Sequence, residues 1–193
     1  MEVSMKTILA STSEYRAKLL ELAGFEFEVC APHIDESMVT GKRLPPAEVV
    51  RSLAAQKAIA VWNHNDGEII LGADTIVVCD DEIFGHPKDR AQAKHMLETL
   101  SGNHHEVYTG VHICGDYIEL SFSERTLVDM YELTEKEIEN YLDLEEFWNR
   151  PGGYDIAKHG GLLVERINGD YSNLLGLPVG VLIRQLRACG FRI

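Results

Sequence analysis

Residues 69–79 read Ile69-Ile-Leu-Gly-Ala-Asp-Thr-Ile-Val-Val-Cys79, an almost continuous apolar run with one carboxylate in its middle. Runs of this kind are typical of strands that are buried on both faces of a sheet. The acidic pair Asp80-Asp81 that follows predicts a hairpin turn. We therefore expect a central strand in a sheet that is covered by helices.

The chain before this run has the order strand, polar loop, helix. The pattern predicts a short buried strand over Thr7–Ala10, a loop over Ser11-Thr12-Ser13 and a helix over Glu14–Ala23. Pro45-Pro46 indicates the start of a second helix that runs to about Asn63.

Further strands and helices follow the central run. We predict a helix over Asp89–Leu100, strands over Glu106–Cys114, Ile118–Met130 and Leu162–Ile167, a helix opened by the capping box Thr134–Glu137, and a last helix from about Pro178. This order indicates an α/β fold with a twisted mixed β-sheet flanked by helices. Because no repeat or low-complexity linker interrupts the chain, we expect residues 1–193 to form a single domain, with two lobes as the alternative.

The composition limits the partners. The chain has 18 Lys and Arg against 31 Asp and Glu, a formal net charge of −13, so its averaged field repels nucleic acid polymers. A small anionic substrate would need a local basic pocket and a bound cation. The 4 cysteines form no C-x-x-C pair, and no apolar run approaches the roughly 18 to 20 residues that span a bilayer. We expect a cytoplasmic protein that has no membrane partner.

Ser11, Ser13 and Arg16 lie at the first strand-to-helix junction. Free backbone N–H groups and the positive end of the helix dipole favour an anion there, and Arg16 could add charge-assisted bonds to phosphate oxygens. The alternative is that the serines only cap the helix.

Asp74 is the carboxylate inside the central apolar run. Burying an ionised carboxylate without a partner costs several kcal/mol, so its site must supply a cation, hydrogen bonds or a proton. A catalytic or metal-binding role and a structural Asp held by backbone donors or a Lys are both open.

Asp35 and Glu36 follow a strand, and Lys57 lies on the next helix. Together with Asp74, the two acidic residues would supply hard oxygen ligands that suit Mg²⁺ or Mn²⁺. Lys57 could then contact a phosphate as a point charge. The alternatives are a solvated acidic loop and an exposed lysine.

These segments together resemble the Maf family of nucleotide pyrophosphatases over nearly the whole chain. The matching stretches are Ile8–Ser13 with Arg16, Asp35-Glu36, Gln56-Lys57-Ala58, Gly72–Thr75, Leu100–Gly102, Gly153-Tyr154 and Gly169–Pro178. The resemblance implies a central cleft, as in inosine triphosphate pyrophosphatases, and hydrolysis of nucleoside triphosphates between the α and β phosphates.

The resemblance also implies roles for the residues. Asp74 would act on the attacking water as base and metal ligand, and Glu36 with Asp35 would help to hold the metal. The residues expected to bind the triphosphate are Ser11, Ser13, Arg16 and Lys57.

Three positions depart from the family pattern. Tyr15 stands where the family has Arg, His86 replaces the Lys of a Gly-Lys-Pro motif that would contact the substrate, and Ala157 replaces a Gln or Glu after Tyr-x-Ile. Thr75 resembles members that act on dTTP and UTP, whereas Tyr15 resembles members that act on 7-methyl-GTP, where an aromatic ring can stack on a base.

We predict a nucleoside triphosphate pyrophosphatase that prefers dTTP and UTP and that removes modified nucleotides. The alternatives are a 7-methyl-GTP pyrophosphatase, a nucleotide-binding regulator of cell division with little turnover, and a protein that binds a basic partner through the acidic residues 135–146. A homodimer is compatible with a compact enzyme of this size, although no sequence feature establishes it.

Overall fold

The computed structural model describes residues 6–34, 44–62 and 68–191. Its strands are β1 (Lys6–Ala10), β2 (Phe27–Cys30), β3 (Glu68–Cys79), β4 (Glu82–Phe84), β5 (His104–Gly115), β6 (Ile118–Met130) and β7 (Val164–Asn168). Its helices are α1 (Glu14–Leu22), α2 (Pro46–Val61), α3 (Arg90–Leu100), α4 (Glu135–Leu142), α5 (Tyr171–Leu174) and α6 (Val179–Ala188), with 3-10 turns at Pro151–Gly153 and His159–Leu163. In these ranges, no helix has the length and apolar character needed to cross a membrane.

The described strands form one mixed sheet in the order β2-β1-β3-β5-β6-β7, with β4 paired to β3. β2, β1 and β3 run parallel, and the pairs from β3 to β7 are antiparallel. The 12 residues of β3 are nearly all buried, as the apolar run predicts. The prediction of a twisted mixed sheet flanked by helices is confirmed.

One edge of β3 has a gap in its pairing. β1 pairs with β3 only as far as Ala10 opposite Gly72, and β4 pairs with the same edge from Val77 onward. Among the described strands, none pairs with this edge between these two points. Asp74 and Thr75 lie at this gap, and because side chains alternate along a strand, they point to opposite faces of the sheet.

Helix α2 covers one face of the sheet at close range. Gly72 and Gly110 face α2, and a Cβ atom on Gly110 would lie 2.3 Å from the carbonyl carbon of Val50. Gly110 pairs with Asp74 across β3 and β5, so the same close approach brings α2 over Asp74. Because neither glycine has a side chain, α2 can lie close to the sheet at Asp74.

The opposite face is covered by two separate groups of helices. α1 and α6 pack there on the Leu71 and Ala73 side chains of β3, whereas α3 and α4 pack on Val77 and Cys79. Thr75 lies between the two groups, at the place where the face is open. This opening is a cleft, which Thr75 lines.

Two local predictions needed correction. The strand predicted over Leu162–Ile167 begins only at Val164, because residues 159–163 form a 3-10 turn. The short helix α5 was not predicted; it begins after Asp170, whose side chain accepts a hydrogen bond from the Ser172 N–H. By contrast, the capping box of Thr134 and Glu137 is present with both of its hydrogen bonds.

Candidate active site

The cleft between the two helix groups has a volume of about 590 Å³. Its floor contains Thr75, Val77 and Val107 of the sheet, and Lys57 of α2 reaches it from the other face. The residues that form its walls are Ser11 to Arg16, Pro32, His86, Trp148 to Pro151, Tyr154 to Ile156, Lys158 and Leu174 to Gly176. Of the residues predicted for the site, Ser11, Ser13, Tyr15, Arg16, Lys57, Thr75 and His86 therefore line one cleft.

The loop after β1 is held by hydrogen bonds among its own predicted residues. Ser13 caps α1 by accepting from the Arg16 N–H, and the Ser11 hydroxyl oxygen accepts from the Ser13 N–H at 3.1 Å. The Arg16 side chain donates to Ser11 Oγ at 3.1 Å, to Thr75 Oγ1 at 3.0 Å and to the Gly176 carbonyl at 2.7 Å. Arg16 thus ties α1 to β3 and to the loop before α6.

Asp74 forms an ion pair with Lys57, and both side chains are largely buried. Asp74 is 6% exposed and lies under α2, on the face opposite to Thr75, so its contact with the cleft runs through Lys57 at the gap in the sheet. A lysine was one of the partners expected for a structural Asp. The ion pair reduces the cost of burying the carboxylate, and it also sets an acid–base group beside a cation in the cleft.

The metal ligands predicted at Asp35 and Glu36 lie outside the described residues. Within residues 6–34, 44–62 and 68–191, no group of three His, Cys, Asp or Glu side chains is arranged to hold a metal. Asp74 is the predicted ligand that the structure describes, and its carboxylate oxygens are the hard donors that Mg²⁺ and Mn²⁺ prefer. Its donor chemistry therefore fits such an ion.

Tyr15 belongs to a polar cluster that the sequence did not predict. Its hydroxyl group donates to the carboxylate of Asp155, 2.9 Å from each oxygen, and the Arg150 guanidinium lies 4.6 Å from the centre of its ring. Burial and the bond to Asp155 raise the pKa of Tyr15 to about 12. In the sequence, Arg150 and Asp155 stand on either side of two glycines. This local pattern does not indicate that either residue contacts Tyr15.

Thr75 and Ala157, the other two positions expected to set specificity, differ in their surroundings. Thr75 Oγ1 lies 2.9 Å from Thr109 Oγ1 and accepts from Arg16, so it belongs to the polar floor of the cleft. Ala157 borders a shallow depression beside the cleft, and its N–H donates to Asp155 at 3.1 Å. Ala157 therefore contacts the cleft wall through this backbone hydrogen bond to Asp155.

A buried histidine supports Tyr154 in the wall of the cleft. His105 Nε2 and the Tyr154 hydroxyl group are 2.8 Å apart, and the two rings meet edge to face. Burial, with a smaller effect of His104, lowers the pKa of His105 to about 4. The His105 ring is therefore neutral at pH 7.

We expect this histidine to make the fold sensitive to acid. Because the folded-state pKa lies below the ordinary value of about 6.5, the unfolded chain takes up the proton first as the pH falls. The free energy of unfolding should decrease by about 2.5 kcal/mol between pH 7 and pH 4.5 from this group. Urea unfolding at pH 7 and pH 4.5 measures the loss.

The variant His105→Gln removes the titrating ring and should show a clearly smaller loss between the two pH values. The exposed His95 provides the matched control, since His95→Gln should retain the loss of the unchanged protein. Equal losses in both variants would contradict the assignment to His105.

The chain is similar to known proteins over nearly its whole length. The family model for Maf-like protein matches residues 6–189. Proteins named dTTP/UTP pyrophosphatase from Bacillus cereus (strain Q1) and Bacillus cytotoxicus are 46% identical over 182 residues, which is 94% of this chain and 94% of each relative.

Among solved structures, a HAM1 protein from Coxiella burnetii aligns with a TM-score of 0.46 at 12% identity, over 95% of this chain and 99% of that one. A dITP/XTP pyrophosphatase from Mycobacterium abscessus aligns with a TM-score of 0.42 at 14% identity, over 73% of this chain and 95% of that one.

Proposed function

We propose, because the chain belongs to the Maf family, that it hydrolyses nucleoside triphosphates to the monophosphate and pyrophosphate, with dTTP and UTP as preferred substrates. Relatives with this activity in their names are 46% identical over 94% of the chain. The observation that carries the proposal is that Lys57, the ion-pair partner of Asp74, and the α1 N-terminus line one cleft. An anion-binding helix end and a carboxylate that can act as a general base suit hydrolysis of a phosphoric anhydride.

The triphosphate would bind along the loop before α1. Ser11 and Ser13 line this side of the cleft, and the backbone N–H groups of the first turn of α1 carry the positive end of the helix dipole. Lys57 would contact a phosphate oxygen, and Arg16 would hold the loop in shape through its bonds to Ser11 and Gly176. His86 lines the same cleft and would be a further contact of the substrate.

The attacking water would be oriented and deprotonated by Asp74, which also would be a metal ligand together with Glu36 and Asp35. A bound Mg²⁺ or Mn²⁺ would supply positive charge next to the phosphates in addition to that of Lys57, in a protein whose formal net charge is −13. Lys57 holds the Asp74 carboxylate in position through their ion pair. In the ionised form Asp74 can accept the proton of the water.

The base would be selected on the side of the cleft that Tyr15 lines, with Thr75 in the floor. Thr75 is the feature that resembles the dTTP and UTP members, and the relatives at 46% identity carry the same preference in their names. Tyr15 supplies an aromatic ring to this side, although Arg150 lies over it. We also propose that the protein works in the cytoplasm, where it would remove modified nucleotides from the triphosphate pool, and that it forms a homodimer.

The test is pyrophosphate release from dTTP, UTP, CTP, 7-methyl-GTP, ITP and the common nucleotides, with Mg²⁺, with Mn²⁺ and with a chelator. We expect release from dTTP and UTP to exceed release from every other substrate and to stop when the chelator removes the metal. The physical reason is that the charge of the triphosphate must be neutralised in an acidic protein. Binding of these nucleotides without any release would contradict the proposed function, and a preference for 7-methyl-GTP would contradict the proposed substrate.

A further inference from the structure

The cluster of Tyr15, Arg150 and Asp155 lies in the wall of the cleft and takes no part in the hydrolytic step described above. Asp155 is only 1% exposed, and its carboxylate is surrounded by donors from the protein. It accepts from the Tyr15 hydroxyl group at 2.9 Å, from Arg150 Nε at 2.8 Å and from the Ala157 N–H at 3.1 Å. The carboxylate therefore has little acceptor capacity left for a ligand.

Arg150 has donor capacity left on the side of the cleft. Its Nε is bonded to Asp155, its Nη1 donates to the Asn149 carbonyl at 3.2 Å, and its guanidinium lies over the Tyr15 ring. Its Nη2 meets no acceptor with the distance and angle of a hydrogen bond among residues 6–34, 44–62 and 68–191, although the guanidinium lies close enough to the Tyr15 hydroxyl group to oppose the rise in the pKa of Tyr15. The guanidinium is thus held by Asp155, Asn149 and Tyr15 in the wall of the cleft, where Nη2 can still donate to a ligand.

Aromatic surface lines the same cleft as Arg150. Trp148 lines the cleft with 44% of its surface exposed, and the buried ring of Phe147 packs against it, with 4.6 Å between ring centres. An exposed aromatic ring beside a fixed hydrogen-bond donor suits a planar nucleobase better than a phosphate group.

We propose that Arg150 recognises the nucleobase by donating from Nη2 to the C4 keto oxygen of uracil or thymine, and that Asp155 is the positioning residue that holds the guanidinium for this contact. The proposal rests on the proposed function, since it assigns a residue to its base preference. Arg carries donors only, so Nη2 can pair with the C4 keto oxygen of uracil and thymine. Cytosine shares the C2 keto oxygen but has an amino group at C4, which would set a donor against a donor.

The first experiment measures binding of UMP and CMP by calorimetry, which requires no turnover. The unchanged protein should bind UMP more tightly than CMP. Arg150→Met should weaken UMP binding by about ten-fold to a hundred-fold, the range of a charged hydrogen bond, and should change CMP binding by less than about three-fold. Arg184 on the exposed side of α6 provides the matched control, and Arg184→Met should retain both affinities.

The second experiment tests the positioning role. Asp155→Asn keeps the size of the side chain but loses the ion pair with Arg150, so it should weaken UMP binding and reduce the preference over CMP. The double variant Arg150→Met, Asp155→Asn should bind UMP no more weakly than Arg150→Met alone, because Asp155 acts through Arg150. If the losses add in the double variant, or if Asp155→Asn weakens UMP and CMP binding equally, the positioning role is wrong.

Inorganic triphosphate distinguishes a base contact from a phosphate contact. Arg150→Met should leave the affinity for inorganic triphosphate unchanged if Arg150 contacts the base. An equal loss for inorganic triphosphate and UMP, or no loss for UMP, would overturn the proposal. Absence of pyrophosphate release together with an intact preference for UMP would reject the proposed hydrolysis and leave the assignment of Arg150 standing.

Discussion

Replacement of Asp74 by Asn is expected to reduce the rate of pyrophosphate release from UTP by about 10²-fold to 10⁴-fold, the range of a general base. Asn cannot accept the proton of the attacking water, and it brings no negative charge to a cation. The amide keeps the size of the carboxylate in the buried position under α2, so the fold should survive. Steady-state kinetics with UTP at saturating metal measures the loss in kcat.

The matched control is Asp81→Asn, the same chemical change in the turn that follows β3. Asp81 is exposed and has a φ of 67°, a conformation that Asn also tolerates. Its kcat should stay within about two-fold, since exposed substitutions of this kind have small effects. Calorimetry with UMP should give similar affinities for both variants. Near-normal turnover in Asp74→Asn would remove Asp74 from the role of base and leave it the structural partner of Lys57.

Replacement of Gly110 by Ala is expected to lower the free energy of unfolding by about 3 kcal/mol, at the upper end of the usual cost of overpacking. The added Cβ atom would lie 2.3 Å from both the carbonyl carbon and oxygen of Val50 and 2.6 Å from the Arg51 nitrogen. These are backbone atoms of α2, so a side-chain rotation cannot relieve the clash and the whole helix must shift. Thermal unfolding should show a fall in Tm of roughly 6 to 12 °C.

The shift of α2 should also reduce turnover, because Lys57 moves with the helix and away from Asp74. Gly180→Ala is the matched control: a Cβ atom on Gly180 would meet nothing within 4 Å, and Ala is favoured over Gly inside a helix such as α6. This variant should be as stable as the unchanged protein or more stable. Equal stability of Gly110→Ala and Gly180→Ala would contradict the close approach of α2 to the sheet.

Local patterns predicted most of the helices and strands because these elements depend on neighbours in the sequence. The apolar run over residues 69–79, the alternation in Ile118–Met130 and the capping box at Thr134 each contain the information for their own conformation. The 3-10 turn at residues 159–163 was missed because its glycines are placed by packing: a Cβ atom on Gly160 would lie 2.5 Å from the Asp155 carbonyl oxygen.

The candidate site was predicted only in part. The strand, loop and helix order predicted the loop that lines the cleft, and an isolated carboxylate in an apolar strand predicted Asp74 as a candidate site residue, because both signals are local. The cluster of Tyr15, Arg150 and Asp155 was not predicted, because Tyr15 and Asp155 are separated by 140 positions. Arg16 was predicted to bind phosphate directly, and its bond to the Gly176 carbonyl, 160 positions away, adds a role in holding the loop.

The sequence by itself determined the α/β class, the family, the acidic charge of the protein and the identity of the residues around Asp74. The class follows from periodicity, the charge from the composition of the whole chain, and the family from the resemblance of its short motifs. Only the tertiary structure decided that Asp74 lies under α2 beside Lys57 while Thr75 forms the floor of the cleft. Because side chains alternate along a strand, the Asp74 and Thr75 side chains must point to opposite faces of the sheet. Which residues each side chain contacts depends on how the helices pack on those faces.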